Sequence, residues 1–485
     1  MKFKILASSF TCILTAALSA KAANQTATAS TIETTGLPYT IQLQTADFGA
    51  ATLPTLQSFA TGTYDGKWVL AAGRTNGLHG FTSNGTTNFP PAHQNTDIWV
   101  IDPVSKQSWS RSLNDASASI SAPVFNALSA TATQSFQQNN TLYVSGGYVY
   151  DSVSNDFTTY NTLTALDLPD VINWVQTGTG TLGAAVRQTS DAALKVTGGS
   201  MDLVGSKVFL SLGQDFEGPY TPGSNGTYTK QIRTFDIVDN GSTLSIANVA
   251  SSTPDDDYRR RDLNIVSLGP STSDAALVAL SGVFTLSGGA WTVPVEVDDT
   301  GTPSMADPTL PDTFKQGMNG YDTAKLVLYS PSTGDNHILL LGGISLQTYD
   351  GSQFVSDNNL PFTSQGSSII REDDGTYTQY YLGDVYPDVI GGGTGDPLLF
   401  GAEAEFFVHP DVALSNGLIN YDELSGPTLL GYVFGGIAAE EANFGDTSAS
   451  NLPFEVWYSP IPEPGTTVLI LLGALTLLTW RRANR

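Results

Sequence analysis

Cysteine is almost missing from this 485-residue chain: Cys12 is the only one, and it lies in an apolar stretch near the N-terminus. A disulfide framework and a catalytic thiol are therefore excluded from the body of the protein, whose stability has to come from a large packed core. Charge is scarce too, at 14% of residues, and what there is leans one way: 46 acidic residues against 21 basic ones give a net charge of −25. Such a surface repels nucleic acid and anionic lipid, and leaves neutral sugars, cations and basic proteins as possible partners. Histidine is rarer still. His79, His93, His337 and His409 are the whole set, and no two are spaced as metal ligands on one element. Neither His-Glu-x-x-His nor Gly-x-Ser-x-Gly occurs, so the commonest metallopeptidase and serine-hydrolase signatures are lacking. No stretch of the body sustains a helical period.

What the chain has in plenty is turn chemistry. With 48 glycines and 25 prolines spread along its length, it reads as an all-β protein. One pattern recurs: a strand-like apolar run ends in glycine, a variable loop follows, and a second strand comes after. The run is Trp68-Val69-Leu70-Ala71-Ala72-Gly73 in the first copy and Leu142-Tyr143-Val144-Ser145-Gly146-Gly147 in the second, where Trp174 supplies the later aromatic. Further copies end at Gly213, Gly282, Gly342-Gly343 and Gly435-Gly436. Glycine fits there because a strand that must stop and turn against a close neighbour has no room for a Cβ. In three copies Ala72, Leu212 or Ser281 takes the first glycine's place.

The pattern resembles kelch repeats. That resemblance implies a β-propeller of six or seven blades spanning residues 23–460, with inserted loops such as 218–228 and 347–361 gathered at one rim. A pair of β-sandwiches is the competing architecture. Within the densest charge cluster, residues 254–262, the resemblance would have Arg260 or Arg261 pair with a carboxylate across a blade junction; a solvated loop is the alternative.

The two ends read differently from the body. Lys2 and Lys4 precede an apolar stretch, and Ala20-Lys21-Ala22 offers the small-x-small site of signal peptidase, so residues 1–22 are expected to be a signal peptide. Residues 461–485 hold Pro462-Glu463-Pro464, an apolar run at 466–480, then Arg481, Arg482 and Arg485. The run is shorter than the ~20 residues of an untilted membrane span, and the arginines would stay on the cytoplasmic side. This tail resembles the PEP-CTERM sorting signal of bacteria that make extracellular polysaccharide. The resemblance implies a transient transmembrane helix, cutting near Pro-Glu-Pro by an exosortase-type enzyme, and delivery to the cell surface or exopolysaccharide matrix.

Carboxylates are the remaining candidates for chemistry. Glu403 and Glu405 alternate as on one strand face, where they could act as acid and base on a glycosidic bond or bind Ca²⁺; a solvated polar face is the plainer reading. Asp255 to Asp257, Asp298-Asp299 and Asp373-Asp374 could likewise take Ca²⁺, but the spaced calcium loop is lacking and solvated turns are favoured. On this reading no resident cofactor or metal is expected. The chain is expected to be a non-catalytic binding or structural propeller that meets polysaccharide or another surface protein, with a polysaccharide-acting enzyme as the alternative.

Overall fold

A computed structural model describes residues 29–462, apart from 225, 321, 358, 360, 392, 394, 415 and 444. The expected cleavage residues Ala20 and Ala22, and Glu463, Pro464, Arg481 and Arg482 of the tail, lie outside the described residues; Pro462 is the last one inside. No helix among the described residues is long and apolar enough to cross a membrane.

The body is a β-propeller. Its first blade is the antiparallel sheet Ala60–Tyr64, Lys67–Ala71, Asp97–Asp102 and Gln107–Ser112. The second blade comprises Gln134–Gln138, Thr141–Ser145, Thr162–Asp167 and Val186–Ser190, and the third Ser200–Val204, Lys207–Ser211, Ile232–Asp239 and Leu244–Ser251. The fourth, Asn264–Ser267, Ala275–Leu280, Val295–Asp298 and Pro303–Met305, precedes the fifth, Ala324–Tyr329, Asn336–Ile344, Phe362–Arg371 and Tyr377–Asp384. In each of these five blades the four named strands come from one contiguous piece of chain, and the fifth sheet adds Ile32–Glu33 and Ile419–Asn420 as short parallel edge strands. The ring is closed by a composite sheet, in which Leu399–Val408, Thr428–Ala439 and Pro453–Pro460 are completed by Tyr39–Thr45 from the other end of the chain. The expectation of six or seven blades, one per repeat, is corrected accordingly. Five blades take their four main strands from contiguous chain, and the last glycine-ended copy, at Gly435-Gly436, belongs to a sheet that needs the N-terminal strand as its outer edge.

Each junction between neighbouring sheets holds an apolar cluster, because a blade buries both faces only against its neighbours. Val69 and Ile98 of the first blade meet Leu142 and Leu166 of the second. Tyr143 and Leu163 meet Val208 and Phe235, Phe209 and Ile232 meet Ile265 and Leu277, and Val278 and Leu280 meet Ile338 and Leu340. Leu339 and Leu341 of the fifth blade pack on Val433 and Phe454 of the closing sheet. The circle ends where Trp68 stacks on Phe407 at 4.2 Å, beside Leu70 and Phe434. With no cysteine in the body, these junctions hold the fold.

The second strand stops at the pair in the first four blades, as the sequence suggested, but runs on through it in Asn336–Ile344 and Thr428–Ala439; the copies without the first glycine keep the same backbone. All six pairs, from Ala72-Gly73 to Gly435-Gly436, have both residues at positive φ; Ala72 lies at 62°, Leu212 at 62° and Ser281 at 58°. The longest helix among the described residues lies outside the repeat. Leu168–Thr177 is an α-helix capped by Asp167, whose carboxylate accepts from the Asp170 amide, and ended by Gly178 at φ 72°. Trp174, read from the sequence as a repeat aromatic, lies on this helix and is fully buried among residues of the first two blades.

Candidate functional site

The innermost strands of successive sheets lie side by side around the central axis. Just ahead of the first five sits a residue at positive φ, Ser58 (53°), Ala132 (49°), Gly198 (63°), Asp262 (49°) and Asp322 (45°), and the sixth strand, Leu399–Val408, carries its counterpart Glu403 (56°) within it, past a shift in register. These residues join hands through the backbone. The Gly198 amide donates to the Ala132 carbonyl at 3.1 Å, Asp262 to Gly198 at 2.8 Å, Glu403 to Asp322 at 2.7 Å, and Ser58 to Glu403 at 3.3 Å. The bonds run in two segments, one through Ala132, Gly198 and Asp262 and one through Asp322, Glu403 and Ser58, which together form a ring of residues at one mouth of the axis, and its side chains are unevenly distributed. One arc carries Asp262, Asp322, Glu403 and Ser58, whereas the opposite arc, Ala132 and Gly198, is bare.

Above the ring opens a cavity of about 740 Å³, lined by residues from every sheet. The ring is its floor, apart from Gly198. Its wall is aromatic: His79, Phe81, Phe89, Tyr148, Phe216 and Tyr220 on one side, with Phe284 and Phe362 elsewhere. His79 stacks on Phe89 at 4.9 Å and meets Tyr220 edge-on at 4.6 Å, while Phe81 at the rim is 59% exposed. Burial holds the His79 imidazole down at about 4, so it is neutral near pH 7. The inserted loops do gather here, since Tyr220 comes from one of them and Asn359 from the other.

The carboxyls on the floor are not ordinary ones. Glu403 is hydrogen-bonded to the Asp322 carboxyl and accepts from the Ser58 hydroxyl; burial first, and then the Asp322 charge, push it well above the usual carboxylate range. Burial also raises Asp262 to about 6, against the pull of its ion pair with Arg261. Among the described residues neither Asp322 nor Glu403 has a basic partner within ion-pair distance.

The pairing of Glu403 with Glu405 is corrected by this geometry. Glu403 lines the cavity and adopts a left-handed conformation beside an irregularity of its strand, and Glu405 is not part of the lining. Glu405 is instead raised to about 7, chiefly by burial, with the charge of Lys325 opposing the shift. The arginines are corrected as well. Arg261 pairs with Asp262, its own neighbour in sequence, and Arg260 is fully buried against the Trp291 ring at 4.6 Å without a carboxylate partner among the described residues. The aspartates considered for Ca²⁺ serve turns: Asp255 accepts from the Asp257 amide, Asp298 from Thr300 and Thr302, and Asp373 from Thr272. Among the described residues no group of three or more His, Asp or Glu side chains is arranged to hold a metal ion.

Of the ring residues the sequence singled out Glu403 as a candidate and missed Ser58, Ala132, Gly198 and Asp322, although a signal exists. In the first three blades the ring residue stands a fixed 15 positions before the glycine that ends the second strand: Ser58 and Gly73, Ala132 and Gly147, Gly198 and Gly213. The signal fades later because loops between the first two strands lengthen.

Glu405 gives a pH prediction with a definite sign. A carboxyl raised from 4.5 to about 7 in the folded state leaves stability untouched below pH 4.5 and lowers it progressively up to pH 7. Glu405→Gln is therefore expected to match the parent at pH 4 and to exceed it by about 2 to 3 kcal/mol at pH 8, measured by urea unfolding at both pH values. The comparison has to be differential. His79 and His337, both held down at about 4 by burial, bias overall stability the other way as the pH falls below 6.5.

No family model matches the chain, and no curated protein matches it either.

Proposed function

We propose that this chain is an exported cell-surface or exopolysaccharide-matrix protein whose kelch-like propeller binds saccharide at the mouth of its central axis without cleaving it. The observation that carries the reading is the cavity itself. An aromatic wall offers faces to stack on sugar rings, and an arc of carboxyls and a hydroxyl offers hydrogen bonds to sugar hydroxyls. The closest carboxyl pair, Asp322 and Glu403, is in direct hydrogen-bond contact. Glycoside-cleaving pairs stand about 5 to 5.5 Å apart in retaining enzymes and farther in inverting ones, so the spacing favours binding over cleavage. Export by a signal peptide at 1–22 and sorting by a PEP-CTERM-like tail at 461–485 complete the proposal, with signal peptidase and an exosortase-type enzyme as partners in transit.

A glycan-cleaving enzyme is the second reading, favoured by one observation: burial and the neighbouring Asp322 charge push the Glu403 carboxyl well above the usual carboxylate range, the direction in which a general acid is tuned. A glycan array run beside a reducing-sugar assay on the host's own polysaccharide separates the two. Retention without release is expected; release that disappears in Glu403→Gln would establish the enzyme, and silence in both assays would sink the saccharide reading. For export, intact mass spectrometry of the surface-located protein is expected to show a species starting near Ala23 and ending near Pro462. Retention of Trp480 and Arg482 would instead mean a permanent anchor.

A further inference from the structure

The cavity holds uncompensated charge of both signs. On its floor the Asp322 and Glu403 carboxyls have no basic partner among the described residues, and Arg261 is already taken by Asp262. In the wall Arg74 is only 2% exposed and still lines the cavity. Its Nε donates to Asn76 Oδ1 at 3.0 Å, its Nη2 donates to the Pro90 carbonyl at 3.2 Å, and its guanidinium lies 5.1 Å from the centre of the Phe89 ring. Among the described residues Nη1 has no hydrogen-bond partner, and no carboxylate forms an ion pair with Arg74. A buried cation and a half-buried carboxyl pair that line one cavity without forming an ion pair are each costly to keep, since an unpaired charge away from water is destabilising. A ligand carrying an ammonium group at one end and an acid group at the other would compensate both.

Resting on the saccharide reading, we propose that the cavity selects a zwitterionic sugar unit: its ammonium group pairs with Asp322 and Glu403, its acid group with Arg74, and its ring stacks on the aromatic wall. Ligands with only one of the two charges leave the other protein charge unpaired. The pocket volume, within the range of sites for small ligands, admits such a unit with part of its neighbour. Binding an ammonium group beside a carboxyl pair in hydrogen-bond contact also drives off a proton held there, so uptake of the ligand releases protons and tightens as the pH rises.

Isothermal titration of the purified full-length chain with muramic acid, glucosamine, glucuronic acid, glucose and glycylglycine tests this. Muramic acid, which has both a free amine and a carboxylate, is expected to bind at least tenfold tighter than each of the other three sugars, with proton release detected as a dependence of the heat on the buffer. Asp322→Asn combined with Glu403→Gln should erase the advantage over glucuronic acid and abolish proton release. Arg74→Gln should erase the advantage over glucosamine, with thermal melting to confirm that it folds; the wild-type ranking decides the matter if it does not. Equal binding of all four sugars would overturn the zwitterion inference and leave saccharide binding standing. If no sugar binds, the saccharide reading itself fails, and glycylglycine binding as tightly as muramic acid would replace the sugar with a peptide terminus.

Discussion

Leu43→Ala is expected to lower the free energy of unfolding by about 3 kcal/mol, whereas Gln42→Ala, one residue away, should change it by less than about 0.5 kcal/mol. The two residues sit on opposite faces of Tyr39–Thr45, the strand that completes the closing sheet. Tyr39, Ile41 and Leu43 are buried, and Thr40, Gln42 and Gln44 are exposed. Leu43, 1% exposed, packs in the cluster that joins the closing sheet to the fifth blade, and its amide donates to the Val385 carbonyl at 2.8 Å. Tyr39 reinforces the same junction, since its hydroxyl lies 2.9 Å from Ser368 Oγ and 3.1 Å from His337 Nδ1. Deletion of residues 29–45 removes the outer strand of the closing sheet together with the Ile32–Glu33 edge of the fifth sheet, and should abolish the cooperative transition. Urea unfolding followed by tryptophan fluorescence checks all three variants. A deletion variant that still unfolds cooperatively with unchanged midpoint would show that the ring does not depend on closure.

Gly342→Ala should cost more than about 3 kcal/mol or prevent folding, while Ala72→Gly, at the equivalent position of the first blade, should stay within about 1 kcal/mol of the parent. Both positions have a left-handed backbone, which costs a non-glycine residue of the order of 1 kcal/mol. The difference lies in the neighbour. A Cβ on Gly342 would come within 2.3 Å of the Phe400 carbonyl oxygen in the adjoining sheet, a distance no real Cβ adopts, and the contact is backbone that cannot swing away. Gly146 is hemmed in the same way, 2.0 Å from the Val196 carbonyl. At Ala72 the side chain is already accommodated, and replacing it trades backbone strain against the extra freedom of glycine in the unfolded chain. Thermal melts of the two variants decide the point; equal losses would mean that φ alone, and not the approach of the next sheet, selects glycine.

The sequence was informative wherever a local pattern had a local cause. The apolar run closed by glycine marks the end of the second strand in the first four blades, as at Leu142 to Gly147, because the strand itself must turn there; in the other two sheets the strand keeps the left-handed step and runs on. Scarcity of cysteine and charge likewise pointed to a fold held by apolar junctions. Less was legible where the cause lies far along the chain. Trp174 looked like a repeat aromatic, but a cap by Asp167 and a stop at Gly178 put it on a helix that fills the gap between two blades.

The sequence by itself determined the β-rich character, the turn positions and the repeating glycine-ended strand, since each depends on residues within a few positions of one another. Tertiary structure alone decided how many blades are contiguous, because the outer strand of the closing sheet comes from the opposite end of the chain. It also decided the site. Glu403 and Glu405 are neighbours in sequence that the strand irregularity separates, and Asp262, Asp322, Glu403 and Ser58, hundreds of residues apart at the extremes, meet only because each stands at the same step of a repeated unit wound around one axis. Burial at that axis, which no local pattern encodes, is what lifts Asp262 and Glu403 out of the ordinary carboxylate range.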